Sequence, residues 1–359
     1  MRGDHLTVAL NDKKLVEDKP LSGIAPRGPI GLQHHGEPIQ FANIYIKELP
    51  KISVVSADRI KGPFGTEIDA AGNIYFVEMT SDRLCKLDTR GKVSVLSTNL
   101  DGPHNLALSH DGSIYISDTW KNRIQKFDLN RSADSLSARA EDAMSTIAGT
   151  GEKGFSGDGG PAIKAKFDGI HCVSLTGDKL YLADLGNRRI RMIDLKSGTV
   201  KTVAGNGQKG LPMDGATATE APLVDPRAVI ADAAGNIYIL ERSGNALRVV
   251  DPQGRIRTLA GTGQKGFSGD GDDAKLATFN GPKHLCFDLD GNVLIADSEN
   301  HAVRKYVGKD GTIVRVAGSG KRGASLDELN QPHGVYVHRD GTLYIADSSN
   351  DRILRITGK

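Results

Sequence analysis

The sequence lacks long apolar runs and an excess of charge of either sign. Its 359 residues carry 46 Lys and Arg against 44 Asp and Glu, a formal net charge of +2 that gives no electrostatic reason to bind nucleic acid. Apolar runs are short and interrupted, as in Ala228–Leu240, and none approaches the roughly 20 residues of a membrane span. Residues Met1–Leu10 also lack the apolar core of a signal peptide. We therefore expect a soluble chain with no nucleic-acid partner and no membrane span.

Cysteine is scarce as well. Only Cys85, Cys172 and Cys286 occur, far apart and without a CxxC pair, which argues against a disulfide framework and against a cysteine zinc site. The sequence also has no HExxH, GxSxG or GxxxxGK[ST] motif, so zinc-protease, serine-nucleophile and phosphate-loop chemistry have no support. The three thiols are expected to be buried and unpaired.

Glycine is abundant, with 43 residues, and one phrase returns six times along the chain. Each copy has a turn such as Asp-Gly or Gly-Asn, an alternating strand, an acidic residue, a short loop and a further strand. The six acidic residues that mark the copies are Glu78, Asp118, Asp184, Glu241, Asp297 and Asp347. Four antiparallel strands per copy are typical of a β-propeller. We expect the marker carboxylates to be architectural and to pair with nearby arginines, as Asp118 with Arg123 and Asp347 with Arg352; a hydrolase that uses two of them stays an alternative.

The last copy ends at its third strand, Ile353–Thr357. Residues Lys51–Ser56, before the first copy, have the pattern of a fourth strand. We predict that they complete the last blade, because this closure removes an exposed edge strand.

The phrase YIADSSNDRI at Tyr344–Ile353 and its five relatives resemble the NHL repeat. The resemblance covers about residues 51–359 and implies an all-β fold, a six-bladed NHL-type β-propeller. Copy 4 departs from the pattern at Glu241–Ala246, and copy 5 departs at His301 and Val303. NHL propellers often bind partners through one face, and some are metal-dependent lyases with histidines at the channel mouth, notably the peptide-amidating lyases.

Residues 1–49 do not match the repeat and predict a short β appendage. HLTVAL and KKLVE should form strands around an Asn11-Asp12 turn, with two more strands at Pro29–Gln33 and Phe41–Leu49. His34-His35 are interpreted as a hairpin-turn pair rather than as ligands.

Most of Gly3–Leu49 resembles the C-terminal end of the jelly-roll family of 3-keto-disaccharide hydrolases or 3-keto-glucoside lyases. That resemblance implies a link to carbohydrate processing, but only about a quarter of such a domain is present. No catalytic role transfers to so small a piece. A parent protein with more of this domain could also carry an export signal, so the compartment stays open.

Long connections are expected on one face of the propeller, because the connections between blades and the entries of the first strands share a face. They are Gly149–Asp168, Gly205–Asp225, Gly261–Asn280 and Gly318–Asn330. The opposite face should carry only tight turns. Three connections match GxGxxG but lead into no helix, so they are glycine-rich loops rather than a nucleotide site, and Asp158, Asp214 and Asp270 within them lack the spacing of a calcium loop. The face with the long loops is the expected working face.

Counting back 14 residues from each acidic marker, or 13 in copy 3, gives the entries of the first strands. These are Phe64, His104, His171, Arg227, Lys283 and His333. We predict that they ring the mouth of the central channel, with Glu67, Asn105 and His284 close by in sequence.

This ring supports several hypotheses. His104, His171 and His333 could ligate a divalent metal, zinc or calcium, and leave a position open for substrate. Arg227 and Lys283 suit an anionic ligand, with Asn105 and Phe64 as further ligand-binding candidates. Trp120, the single tryptophan, could stack on a sugar or cap a blade. A water-filled channel in which these side chains only pack is the third alternative.

The sequence thus favours a ligand- or partner-binding NHL propeller linked to carbohydrate processing. Its partner would be a small molecule, a carbohydrate or a protein, bound at the channel-mouth face. The alternative is a metal-dependent lyase or hydrolase with its metal held by histidines at the mouth.

Overall fold

The structure is a computed structural model that describes residues 5–10, 13–20, 50–56, 60–133 and 143–358. The chain divides into two compact units, of which one is Met1–Lys51 with Gly358–Lys359 and the other is Ile52–Thr357. No helix among the described residues is long and apolar enough to cross a membrane.

The first unit contains one antiparallel hairpin. Its strands are β1 (His5–Leu10) and β2 (Lys13–Pro20), which pair on either side of Asn11-Asp12. This confirms the first two strands predicted for the appendage. The strands predicted at Pro29–Gln33 and Phe41–Leu49, and the pair His34-His35, lie outside the described residues.

The second unit is built from six four-stranded sheets, the six blades of a propeller. Blade 1 has β4 (Pro63–Ile68), β5 (Ile74–Glu78), β6 (Arg83–Leu87) and β7 (Val93–Ser97). Blade 2 has β8 (Pro103–Leu108), β9 (Ser113–Asp118), β10 (Arg123–Asp128) and β11 (Met144–Ala148). Blade 3 has β12 (Ile170–Thr176), β13 (Lys179–Asp184), β14 (Arg189–Asp194) and β15 (Thr199–Ala204).

The remaining blades repeat the plan. Blade 4 has β16 (Pro226–Ala231), β17 (Ile237–Glu241), β18 (Ala246–Val250) and β19 (Ile256–Ala260). Blade 5 has β20 (His284–Phe287), β21 (Val293–Asp297), β22 (Ala302–Val307) and β23 (Thr312–Ala317). Blade 6 has β24 (Gly334–Val337), β25 (Leu343–Asp347) and β26 (Arg352–Thr357), with β3 (Lys51–Ser56) as its outer strand. The segment before blade 1 therefore closes the ring, as its pattern predicts.

In blades 1, 4 and 5, one aspartate sets the turn between the first and second strands. In blade 1, Asp69 Oδ1 accepts hydrogen bonds of 2.9 Å from the N–H groups of Ala71 and Asn73. Gly72 has φ +88°, which a residue without a side chain adopts at little cost. Asp232 and Asp288 make the same bond to the N–H of Asn236 and Asn292 in blades 4 and 5. Local sequence thus dictates the tight turns of one face, called here the turn face.

The six marker carboxylates are fully buried at the ends of the second strands. Each accepts a hydrogen bond of 2.6–2.8 Å from the N–H of a residue just before the first strand of its own blade. The predicted ion pairs Asp118–Arg123 and Asp347–Arg352 both form, at 2.7 Å. These carboxylates are shielded from solvent, and their hydrogen-bond donors come from their own blades. They therefore hold the residues that lead into each first strand in place.

The long connections are held by buried arginines. Arg304 stacks on Phe279 and donates to the carbonyls of Ser268 and Thr278 at 2.8 and 2.7 Å. Asp270 pairs with Arg304 at 2.9 Å, as Asp158 does with Arg191 at 2.7 Å. Asp214 accepts a hydrogen bond from the N–H of Thr258. The three loop aspartates Asp158, Asp214 and Asp270 therefore all have protein partners.

The turn face carries more than tight turns, which corrects the sequence prediction. Between β10 and β11 of blade 2, the chain forms the short helix α1 (Leu129–Ala133) at the turn-face end. Short 3-10 helices also occur within the connections Gly149–Asp168 and Gly261–Asn280. The spacing of the acidic markers shows that extra residues lie between two copies of the repeat. It does not show whether they lie between two blades or, as α1 does, between two strands of one blade.

Candidate functional site

The six side chains predicted for the channel mouth lie together in the structure. Contacts run from one to the next: Lys283 Nζ lies 3.0 Å from His333 Nε2, and the rings of His333 and Phe64 stack at 4.0 Å. Phe64 meets His104 edge-on at 5.3 Å, and His104 lies 4.4 Å from His171. Arg227 then donates to the carbonyl oxygen of His171 at 3.3 Å. We call these six residues the mouth ring.

The three histidines of the mouth ring share one hydrogen-bonding arrangement. Their Nδ1 atoms lie 2.8–2.9 Å from the carbonyl oxygen two residues earlier, on Gly102, Gly169 and Gln331. A carbonyl can only accept, so Nδ1 carries the proton and Nε2 of the neutral ring presents a lone pair. The tautomer follows from local backbone geometry at the entry of each first strand.

These imidazoles are neutral at physiological pH. Burial, with the charge of Arg227 as the second cause, lowers the pKa of His104 to about 3. The pKa of His171 is lowered well below its ordinary value by the same two causes. For His333 the causes are burial and then the Lys283 ammonium. The positive charge of the mouth ring therefore comes from Arg227 and Lys283.

Arg227 is buried without a counter-ion. Only 5 % of its surface is exposed, and none of the described carboxylates forms an ion pair with it. Its Nε is buried and has no hydrogen-bond partner among the described residues. Burial, followed by the nearby Arg242, lowers its pKa to about 10, which still leaves it charged at neutral pH. A buried unpaired charge is costly, and an anionic ligand would offset that cost.

Lys283 differs from Arg227 because it already has a partner. Its ammonium lies 3.0 Å from Glu299, which also accepts from Gln331 at 3.0 Å. Of the two cations predicted to bind an anion, Arg227 is therefore the one that lacks a carboxylate partner among the described residues. A recess of about 440 Å³ adjoins this side of the mouth and is lined by Phe64, Lys283 and His333, among others.

Trp120 is 53 % exposed at the mouth. Its ring meets His104 and His171 edge-on, at 5.2 and 5.7 Å between ring centroids. One side of the Trp120 ring packs against the histidines and the rest is open to solvent. This position is compatible with both alternatives from the sequence, stacking on a sugar and capping a blade. The ring crosses Gly102 so closely that a Cβ there would lie 2.0 Å from its atoms.

Replacing Gly102 with alanine is expected to displace the Trp120 ring. Gly91→Ala is the matched control, since both glycines have positive φ but Gly91 has nothing within 4 Å of an added Cβ. Both variants should lose about 1–2 kcal/mol from backbone strain. Only Gly102→Ala should shift the emission maximum and acrylamide quenching of the single tryptophan. Unchanged fluorescence in Gly102→Ala would contradict the packing described here.

Asn105 lies deeper than the mouth ring. It is buried, its Nδ2 lies 2.9 Å from Nε2 of His284 in blade 5, and its Oδ1 accepts from the N–H of Val173. The N–H of Val335 lies 3.3 Å from the other ring nitrogen of His284, Nδ1, and burial lowers the pKa of His284 to about 4. This bond joins two opposite blades across the channel. Asn105 therefore closes the floor of the mouth rather than lining its rim.

One further mouth residue escapes the sequence prediction. Glu299 lies two positions after its acidic marker, the same register as Trp120, Thr80 and Ser349. Thr80 and Ser349 line the recess beside the mouth. Counting two positions forward from each acidic marker, as well as 14 back, would have found Glu299, Thr80 and Ser349.

The donor set fits a metal only in part. His104 and His171 are adjacent, and an Nδ1–H bound to a carbonyl is the usual outer support of a ligating imidazole. Nε2 of His333, however, faces the Lys283 ammonium. Among the described residues no group of three or more His, Cys, Asp or Glu is arranged to hold a metal ion. Imidazole nitrogens suit zinc, whereas calcium takes oxygen ligands.

Comparison with known proteins agrees with this architecture. Residues 279–306 and 329–356 match the NHL repeat, and residues 85–194 match the Teneurin NHL domain. The chain thus contains NHL repeats and folds as a six-bladed β-propeller. Ahead of this NHL propeller, residues 1–47 match the 3-keto-alpha-glucoside-1,2-lyase-like domain.

Relatives of the NHL propeller are larger proteins. It is 25 % identical over 256 residues to the protein SUPPRESSOR OF QUENCHING 1, chloroplastic, of Arabidopsis thaliana, which covers 66 % of this chain and 23 % of that one. It is 33 % identical over 134 residues to NHL repeat-containing protein 2 of Gallus gallus, covering 35 % of this chain and 18 % of that one. The chain thus spans less than a quarter of either relative.

Solved structures share the fold. A structural genomics protein of unknown function from Bacteroides thetaiotaomicron superposes with a TM-score of 0.66 at 17 % identity, over 98 % of this chain and 80 % of that one. An auxiliary nutrient binding protein from the same organism gives 0.62 at 14 % identity, over 83 % and 69 %. A streptogramin B lyase gives 0.55 at 13 % identity, over 87 % and 98 %. At these identities the likeness shows the fold alone.

Proposed function

We propose that this NHL propeller binds a small anionic ligand, an acidic sugar such as a uronate, at the channel mouth. The observation that carries the proposal is Arg227, a buried guanidinium with no carboxylate partner among the described residues, inside a ring of neutral histidines. A carboxylate is the natural partner of a planar guanidinium, which can bind it through two parallel hydrogen bonds.

The sugar part of the proposal has two supports. Trp120 offers an exposed aromatic surface beside the mouth ring, suited to the apolar face of a pyranose. The match of residues 1–47 to a domain named for keto-glucoside chemistry supports a carbohydrate ligand. A neutral sugar would leave Arg227 unpaired, so the acidic class is preferred.

The test compares glucuronate with glucose by calorimetry and by Trp120 fluorescence. Glucuronate is expected to bind and to change the fluorescence, while glucose binds at least tenfold more weakly. In Arg227→Met, glucuronate affinity should fall about 10- to 100-fold, the 1.5–3 kcal/mol of a hydrogen bond to a charged group.

Arg257→Met is the control, because Arg257 is exposed on outer strand β19 of blade 4. It should bind glucuronate like the wild type. Equal affinities for glucose and glucuronate, or an Arg227→Met protein that binds as well as the wild type, would overturn the proposal.

A second candidate is a zinc-dependent lyase or hydrolase at the same mouth. It is favoured by the Nδ1–H bonds that leave Nε2 of His104 and His171 unprotonated. These two imidazoles would hold the metal, which would polarise a substrate oxygen, and Arg227 would hold an anionic substrate. Elemental analysis of the wild type beside the double variant His104→Ala/His171→Ala tests this candidate.

A further inference from the structure

The channel has a second compartment below the mouth. A cavity of about 190 Å³ is lined by residues from the first strands of all six blades. Three positions on from the mouth ring along each first strand are Glu67, Ala107, Ser174, Ile230, Cys286 and Tyr336. All of these except Ala107 line the cavity.

Asn105 and His284 separate this cavity from the mouth. Their side chains meet at 2.9 Å across the channel, between blades 2 and 5. The N–H of Val173 donates to Oδ1 of Asn105, and the N–H of Val335 lies 3.3 Å from Nδ1 of His284. Gly65 and Gly334 let neighbouring first strands approach each other closely at this level. A Cβ added at Gly65 would lie 2.6 Å from a backbone atom of Asn105, and one added at Gly334 would lie 2.3 Å from a backbone atom of Phe64.

Glu67 is the one carboxylic acid that lines this cavity. No ion pair or hydrogen bond of its carboxyl is formed with any of the described residues. Burial alone raises its pKa to about 8. Nearby, the buried Oγ of Ser174 has no hydrogen-bond partner within the described part of the chain, and the hydroxyl of Tyr336 makes only a long bond of 3.5 Å to Ile68.

We propose that the lower channel is a second binding site, for a compact organic ammonium ion whose charge is paired with the Glu67 carboxylate. Ser174 and Tyr336 supply further oxygen atoms for the remaining N–H groups. The apolar walls, which include Leu106, Ile230 and Val337, accommodate a short alkyl chain. The volume, equal to that of about six liquid waters, suits a ligand of this size.

The donor set argues for an ammonium ion rather than a metal. One carboxylate with two hydroxyls falls short of the six to eight oxygens of calcium. His284, Cys172 and Cys286 also line the cavity, but among the described residues no group of three or more His, Cys, Asp or Glu is arranged to hold a metal ion such as zinc. An ammonium ion needs only one counter-charge and two or three acceptors. The two levels of the channel differ in charge: Arg227 is a cation without a described carboxylate partner at the mouth, and Glu67 is a carboxylic acid without a described partner in the lower cavity.

Entry is from the turn face. A wider recess of about 500 Å³ shares Glu67 and Tyr336 with the cavity and extends to the first turns of blades 1, 2 and 6. Its titratable lining residues are Asp69, His110, His338 and Arg339. A ligand can therefore reach Glu67 without passing the Asn105–His284 bond.

The experiment measures butylammonium binding by calorimetry, with butan-1-ol as the neutral counterpart. In the protein without ligand, the Glu67 carboxyl is largely protonated at pH 7, so the binding of an ammonium ion should release close to one proton. This release is measured as a difference between the binding heats in Tris and in phosphate buffer. Affinity should rise about tenfold per pH unit from pH 6 to about 7.5.

Three other groups that line the cavity do not titrate in that range. They are His284 on β20, Cys172 on β12 and Tyr336 on β24. The pKa of His284 is about 4 and that of Cys172 about 11, and burial raises the pKa of Tyr336. The assignment of the released proton to the Glu67 carboxyl is made by the Glu67→Gln variant.

Glu67→Gln, nearly identical in shape, should lower butylammonium affinity at least tenfold and abolish proton release. Glu220→Gln, at an exposed position, should leave both unchanged. Absence of saturable binding at about millimolar butylammonium, equal binding by Glu67→Gln, or preference for butan-1-ol would each overturn the proposal.

Discussion

Replacing Asp347 with alanine is expected to lower the free energy of unfolding by about 3–5 kcal/mol, the typical result of removing one partner of a buried ion pair. Asp347 is fully buried and accepts from the N–H of Asn330 at 2.7 Å and from Arg352 at 2.7 Å. Arg352 also donates to the carbonyls of Ala324 and Glu328. Alanine would leave the guanidinium buried without its counter-charge and loosen the connection before blade 6.

The loss is measured by urea denaturation, with two companion variants. Asp347→Asn keeps the shape and loses the charge, so its loss should be intermediate. Asp310→Ala, in an exposed turn between β22 and β23, should change the free energy of unfolding by no more than about 0.5 kcal/mol. If Asp347→Ala were as stable as Asp310→Ala, the architectural role of the six markers would have to be abandoned.

Acidification from pH 7 to pH 5 should destabilise the wild type more than a His104→Asn variant, by about 2 kcal/mol. Burial holds the pKa of His104 near 3 in the folded protein, whereas its ordinary value is 6.5. Below pH 6.5 the unfolded chain therefore binds a proton that the folded chain does not. The stability contributed by the neutral imidazole is complete above pH 6.5 and is lost as pH falls toward 3.

The comparison requires denaturation curves of both proteins at pH 7 and pH 5. The difference between the two pH values isolates His104, because all other titrating groups are common to both proteins. Phe64→Leu serves as control, since it removes packing against the ring but no titrating group, and its cost should be equal at both pH values. A pH response of His104→Asn identical to that of the wild type would show that His104 is not held neutral.

The sequence alone determined the blade plan and the composition of the mouth ring. The six acidic markers repeat because each blade needs a buried carboxylate to hold the start of its first strand. Counting back from a marker thus reaches equivalent positions, and Phe64, His104, His171, Arg227, Lys283 and His333 meet as predicted. The same periodicity identifies Lys51–Ser56 as the missing fourth strand.

Only the tertiary structure decided which charges are paired. Lys283 and Arg227 occupy equivalent register positions, but Glu299 reaches Lys283 and no described carboxylate pairs with Arg227. Asn105 neighbours a mouth residue in sequence yet bonds to His284 across the channel. Glu67 becomes a half-buried acid because the six first strands converge around it. Repeat periodicity fixes position within a blade, whereas pairing and desolvation depend on side chains that neighbouring and opposite blades bring to the same point.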